Sequence, residues 1–189
     1  MRKLGICLAA ASALVATAAS AQWKLEPESV FGIQLGAPLS DAVPRCGPIY
    51  PAVESAKLCV RHYPKLPNMA GLENLPLSGI KHSAGLFFDE GAVMALRVEV
   101  AHQSYETLKA MLVERYGPPT TSETKVLTSR VGVAYQSESL NWLGKTNTIT
   151  LTEREGKVDA SVVSFGNVER RASAEARRKA AIAEGAAKF

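Results

Sequence analysis

The chain has 189 residues, 47% hydrophobic and 21% charged, with 22 Lys/Arg against 18 Asp/Glu. That composition suits one ordinary globular core and excludes a disordered or fibrous chain. The formal charge of +4 is uneven: residues 22–168 hold fourteen Lys/Arg and fifteen Asp/Glu, whereas residues 169–189 hold six Lys/Arg and three Glu. The body is therefore near neutral, and no nucleic-acid-binding surface is expected on it.

Residues 1–21, MRKLGICLAAASALVATAASA, read as a secretory leader. Arg2 and Lys3 form its positive start, Leu4 to Ala18 its apolar stretch, and Ala19-Ser20-Ala21 its small-x-small cleavage pattern. The apolar stretch is too short for a spanning helix. A mature start at Gln22 and a periplasmic or secreted location are expected. Ile6 is too large to precede a lipidated cysteine, so Cys7 predicts no lipid anchor. Its removal leaves Cys46 and Cys59 as a lone pair in an oxidising compartment, expected to form one disulfide. Closing a loop of that size is worth about 3 kcal/mol. The spacing matches neither a redox CxxC nor a familiar zinc pattern.

Residues 31–48, FGIQLGAPLSDAVPRCGP, predict an apolar lead-in and a helix of one or two turns, capped by Ser40 and stopped by Gly47-Pro48. Pro44 limits its length. Residues 57–63, KLCVRHY, predict a strand. Residues 64–79, with three prolines and two glycines, read as a long connection without periodicity. Its apolar residues Met69, Leu72, Leu75 and Leu77 make it the expected contact surface.

Residues 82–101 predict a β-hairpin turning at Asp89-Glu90-Gly91, with Met94, Leu96, Val98 and Val100 on one face. Residues 104–118 predict a helix capped by Ser104, with Tyr105, Leu108, Met111, Leu112 and Tyr116 on one face and a stop at Gly117-Pro118-Pro119. A second meander follows: Val131 to Trp142, then Thr146 to Glu153 with Ile149 and Leu151 inward, then a turn at Glu155-Gly156 into Val158 to Phe165. Residues 167–189 predict a basic, solvated helix with little to bury. Any membrane contact is expected only there.

The halves 31–101 and 102–166 share one order: helix, Gly-Pro stop, strand, and a hairpin with an acidic-Gly turn. The expected fold is a single α+β domain over 22–166, helices packed on one face of an antiparallel sheet. A tandem helix–strand–hairpin repeat and a chance likeness of the halves both stay open.

The run Gly36 to Pro48, GAPLSDAVPRCGP, followed by the hairpin residues Phe88 to Val93, resembles small exported α/β modules of the SmpA/OmlA type and the tandem-domain β-lactamase inhibitor proteins. That resemblance implies a helix-on-sheet fold working through protein–protein contact, without catalysis.

Candidate chemistry in the chain is sparse. His62, His82 and His102 are the histidines, and Arg61 and Lys81 beside two of them repel a cation, so no metal site is expected. Asp89, Glu90, Glu153 and Glu155 would pair as acid and base only if their two turns met. There is no Gly-x-Ser-x-Gly, phosphate loop or calcium loop, so neither an enzyme nor a cofactor is expected. Among the aromatics Tyr50, Tyr63, Tyr135 and Trp142 are interface candidates. The reading is a periplasmic protein-binding module acting on another envelope protein, as inhibitor or assembly factor. Its expected binding residues are Tyr63, Met69, Leu72, Leu75, Leu77 and Trp142. The alternative is a small-molecule or wall-polymer carrier with a pocket lined by Met94, Leu96, Tyr135 and Trp142.

Overall fold

A computed structural model describes residues 23–40, 43–47, 57–77, 79–129 and 131–188. The expected leader and cleavage site, residues 1–22, lie outside them, as do Asp41, Ala42 and Tyr50. In chain order the elements are β1 (Ser29–Val30), β2 (Ile33–Gln34), β3 (Cys59–His62), β4 (Met69–Glu73), β5 (His82–Asp89), β6 (Ala92–Ala101), α1 (Tyr105–Tyr116), β7 (Thr121–Thr128), β8 (Ala134–Leu143), β9 (Asn147–Thr152), β10 (Ala160–Asn167) and α2 (Val168–Ala186). The fold is α+β. Neither described helix is long and apolar enough to cross a membrane.

Strands β3 to β10 form one eight-stranded sheet in the order β3-β4-β5-β6-β10-β9-β8-β7. Every neighbouring pair is antiparallel. Two four-strand meanders, β3–β6 and β7–β10, thus meet along β6 and β10, which pair over Ala95–Ala101 and Ala160–Gly166. The β5–β6 hairpin closes in two residues, Glu90 at φ 49° and Gly91 at φ 81°. Positive φ at both central positions is the turn whose twist matches the flanking strands.

Alternation along the strands sends one set of side chains to a covered face. Val60, Leu72, Leu86, Leu96, Val98, Val163, Phe165, Ile149, Leu151, Leu140 and Trp142 are buried there. They pack in one core with Tyr105, Leu108, Leu112 and Tyr116 of α1, with Val30, Ile33 and Leu35 of the N-terminal hairpin, and with Leu75, Leu77 and Ile80. Three- and four-residue spacing puts the four α1 residues on one helical stripe, whereas Met111 points outward at 43% exposure. Glu26 ties the N-terminal segment down, its carboxylate accepting from the backbone N–H groups of Lys145, Thr146 and Asn147.

Several expectations are corrected. The described part of the expected helix near 40–46, residues 43–47, is not helical. Val60 N–H donates to Pro44 O (2.8 Å) and Cys46 N–H to Val60 O (2.9 Å), so this stretch runs along the edge of β3. Pro44, which lacks an N–H, is tolerated beside an edge strand. The Cys46–Cys59 disulfide, with Cα atoms 5.0 Å apart, fastens it there. The expected connection 64–79 contains β4, which pairs on both sides with β3 and β5. Ser104 precedes α1 but makes no side-chain capping bond. Strand β7 was not expected, and the strand expected from Val131 begins at Ala134.

The two described helices do not share a face. Whereas α1 lies on the covered side, α2 begins at the end of β10, capped by Asn167 Oδ1, which accepts from Arg170 N–H. From there Arg171 of α2 reaches Ser164 on the opposite side of the sheet. None of the α2 residues is buried.

Candidate functional site

The face of the sheet turned away from α1 presents one continuous cross-strand row. Register places Arg61, Gly71, Gly85, Arg97, Ser164, Thr150, Asn141 and Thr121 side by side, one from each of the eight strands. Between its ends the row holds two glycines, then Arg97, then serine, threonine and asparagine, with no large apolar side chain. Thr150 Oγ1 donates to Asn141 Oδ1 (3.0 Å), and the Asn141 amide donates to Thr121 Oγ1 (3.4 Å), keeping the polar half flat.

The apolar half of this open face gathers around the glycines. Tyr63 lies over Gly71, where a Cβ would sit 2.6 Å from its hydroxyl, so only glycine admits the ring. Above Gly85 the nearest obstruction to a Cβ is the Ala70 carbonyl at 3.3 Å. The space there is a depression of about 180 Å³ lined by Met69, Phe87, Ser83, Gly85, Arg97 and Glu99. Met69 and Phe87 stand opposite each other across β4 and β5. Glycine inside a strand commonly marks such a close approach.

Charges rising from the strands of this face are matched in pairs. Arg61 Nη2 donates to Glu73 Oε2 (2.9 Å), and that hydrogen bond holds the Glu73 carboxyl below the usual carboxylate range. Arg97 pairs with Glu155 (2.6 Å), Lys157 with Glu99 (3.3 Å) and Lys125 with Glu123 (3.1 Å). Glu155 and Lys157 come from the β9–β10 connection and reach back to β6 through these pairs. Arg171 is the exception: its partner among the described residues is the Ser164 hydroxyl (2.8 Å), and burial pulls its pKa below the usual arginine value.

A second polar cluster joins α1 to the covered face. Glu138 accepts from Tyr105 Oη (2.7 Å) and Lys109 Nζ (2.6 Å), and its backbone N–H donates to Glu153 Oε2 (3.0 Å). His102 Nε2 lies 2.8 Å from Glu153 Oε1. The Lys109 hydrogen bond, with help from Tyr105 and Ser122, keeps the Glu138 carboxyl low. Burial works to raise Glu153, but His102, the Glu138 N–H and Arg154 outweigh it and leave it lowered. Burial, followed by the bond to Glu138, drives the Tyr105 phenol far above its ordinary value. Each carboxylate is committed to several donors, so the cluster acts as a clasp between helix and sheet.

The expected binding residues divide between the two faces. Tyr63, 39% exposed, and the half-buried Met69 meet on the open face. Leu72, Leu75, Leu77 and Trp142 are core residues and present no contact surface, because pairing of β4 on both sides turns that segment inward. Trp142 is 0% exposed and its indole N–H donates to Gly117 O (2.8 Å). The pocket expected from Met94, Leu96, Tyr135 and Trp142 does not assemble. Leu96 and Trp142 point into the core, whereas Tyr135, an odd number of residues from Trp142 along β8, stands on the open face under Arg154. The acidic turns do not meet either, since Asp89-Glu90 and the Glu153–Glu155 stretch lie at opposite ends of β6.

The three histidines sit on β3, at the start of β5 and beyond β6. Among the described residues, the donor group close enough for a metal is Cys46, Cys59 and Glu73. Its two sulfurs are bonded to each other and Glu73 is engaged by Arg61, so those residues do not fit a metal. Phe87, Gly71, Gly85 and Arg171 were missed in the sequence because register, not residue type, brings them together.

The chain matches no family model, and it has no significant match among curated proteins or solved structures.

Proposed function

We propose that this chain is an exported protein-binding module that holds another protein of the cell envelope against the open face of its sheet. The observation that carries this reading is the glycine floor of Gly71 and Gly85 in the cross-strand row, flanked by Tyr63, Met69 and Phe87. Large amphipathic anchors beside a flat backbone surface suit a protruding loop or strand of a partner. The Cys46–Cys59 disulfide is compatible with an oxidising compartment, and the proposed leader would supply the route to it. Inhibition or assembly of that partner follows the resemblance noted in the sequence. The shared order of elements in the two halves of the sequence, without the first-half helix, supports the further proposal that the two meanders are copies of one unit.

The test is capture from an envelope extract by the mature, oxidised protein, run beside the F87E and M69E variants and beside M111E on the outer side of α1. The reading expects a partner that both open-face variants lose and M111E retains. A partner retained by F87E and M69E, or lost equally by all three, overturns it.

A further inference from the structure

The charge left over on the open face has a defined place. Arg171 lies flat over Gly166, where a Cβ would fall 2.1 Å from its Nε, so the missing side chain at 166 is what seats the guanidinium. Its Nη2 donates to Ser164 Oγ (2.8 Å), while among the described residues no carboxylate lies within 4 Å of it. A guanidinium carries five donors in a planar fork suited to a carboxylate, and one held partly out of water without a counter-charge is costly. The strand charges of this face are already paired among the described residues, which leaves the Arg171 guanidinium without a counter-charge at this spot.

The neighbours complete the case. Ser164 stands opposite Arg97 across β6 and β10, and Arg97 stands opposite Gly85 across β5 and β6. Two strand spacings, about 10 Å, therefore separate the Arg171–Ser164 corner from the depression over Gly85. One short segment of a partner spans both.

We propose that Arg171 and the Ser164 hydroxyl form a carboxylate subsite that takes an Asp or Glu side chain of the partner protein, while an apolar side chain two or three residues away enters the depression between Met69 and Phe87. This rests on the open-face reading above and gives the partner its chemistry. A monoanionic carboxylate matches the single unpaired charge, and the Ser164 hydroxyl, freed to rotate, donates to its second oxygen.

The test starts from a displayed random peptide library selected on the mature, oxidised protein, in parallel on F87E. The best peptide is then measured against wild type and R171M, with its acidic residue intact and changed to the matching amide. Selected peptides are expected to carry Asp or Glu next to a large apolar residue. Amide replacement is expected to weaken binding to wild type about tenfold or more, and to leave binding to R171M unchanged. S164A, which keeps the fork, is expected to show an intermediate loss. Peptides that F87E rejects but that carry no acid, or that lose equally on both proteins when the acid is replaced, overturn the carboxylate subsite and leave the open-face reading standing. Peptides indifferent to F87E overturn both. Equal displacement of the peptide by inorganic phosphate and by acetate at matched ionic strength would assign the corner to free anions and overturn the side-chain proposal.

Discussion

The two faces of the same strands behave as different materials. Along β8, Leu140 and Trp142 face the core, while Ser139 and Asn141, alternating with them, face outward. Along β9, Ile149 and Leu151 are fully buried and Thr148, Thr150 and Thr152 alternate with them. The covered face is closed by α1, by the N-terminal hairpin and by Leu75, Leu77 and Ile80, and its polar members are locked in the Glu138–Glu153 clasp. The open face carries small side chains, matched ion pairs and a few half-buried anchors, while α2 leaves the end of β10, runs past β6 and pairs its Arg177 with Asp89 and Glu90 at the β5–β6 turn. Stability is therefore expected to reside on one side and recognition on the other. Substitutions on the two sides should separate the two properties.

The largest loss is expected from Trp142→Ala. It empties the core position filled by the largest fully buried side chain and removes the indole donor to Gly117 O. Denaturant unfolding should register about 3–5 kcal/mol. A loss under 1 kcal/mol would mean that the covered face is not the packed core described above. Next comes the staple at the sheet edge. The C46S/C59S double variant should lose about 3 kcal/mol, because the thirteen-residue separation bridged by the disulfide is freed in the unfolded chain. Equal midpoints for oxidised and reduced protein would contradict this.

A smaller, pH-dependent effect is expected at the clasp. The Glu138 carboxyl is lowered from its ordinary value of 4.5 in the folded protein. Its contribution is thus fully present above that value and is lost as pH falls through the lowered one. Glu138→Gln should cost about 1–2 kcal/mol at pH 7, through the bonds to Lys109 and Tyr105, and the difference should shrink as the pH drops below 4.5. A gap that stays constant down to pH 3 would remove Glu138 from the clasp. Smallest of all is Phe87→Ala on the open face, expected to change stability by about 0.5 kcal/mol or less, since the ring is only half-buried.

Much of this division was legible in the residues. The alternation of Leu96, Val98 and Val100 with Arg97 and Glu99, and of Ile149 and Leu151 with threonines, marks strands with one buried face. The stripe Tyr105, Leu108, Leu112, Tyr116 marks α1. Elements at the edges were harder. TSETKVLT, the sequence of β7, is exposed almost throughout, so it has no buried face to produce alternation. Its Glu123 and Lys125 are the charges that keep an edge strand from pairing further. MAGLE, the sequence of β4, is five residues with a glycine at its centre and prolines nearby, a composition that argues for a loop until β3 and β5 pair with it. The candidate site was half legible. Tyr63 and Met69 are the residue types of an interface, but nothing local tells Trp142, buried, from Tyr63, exposed. Gly71, Gly85 and Arg171 become a site only through register and the bend at Asn167.

The separation of faces is tested most directly by placing a photo-reactive amino acid at position 87 on the open face and, separately, at position 111 on the outer side of α1, in the full chain expressed in cells. The account expects one discrete crosslinked partner from position 87 and none from position 111. A partner crosslinked from position 111 and absent from position 87 would contradict it.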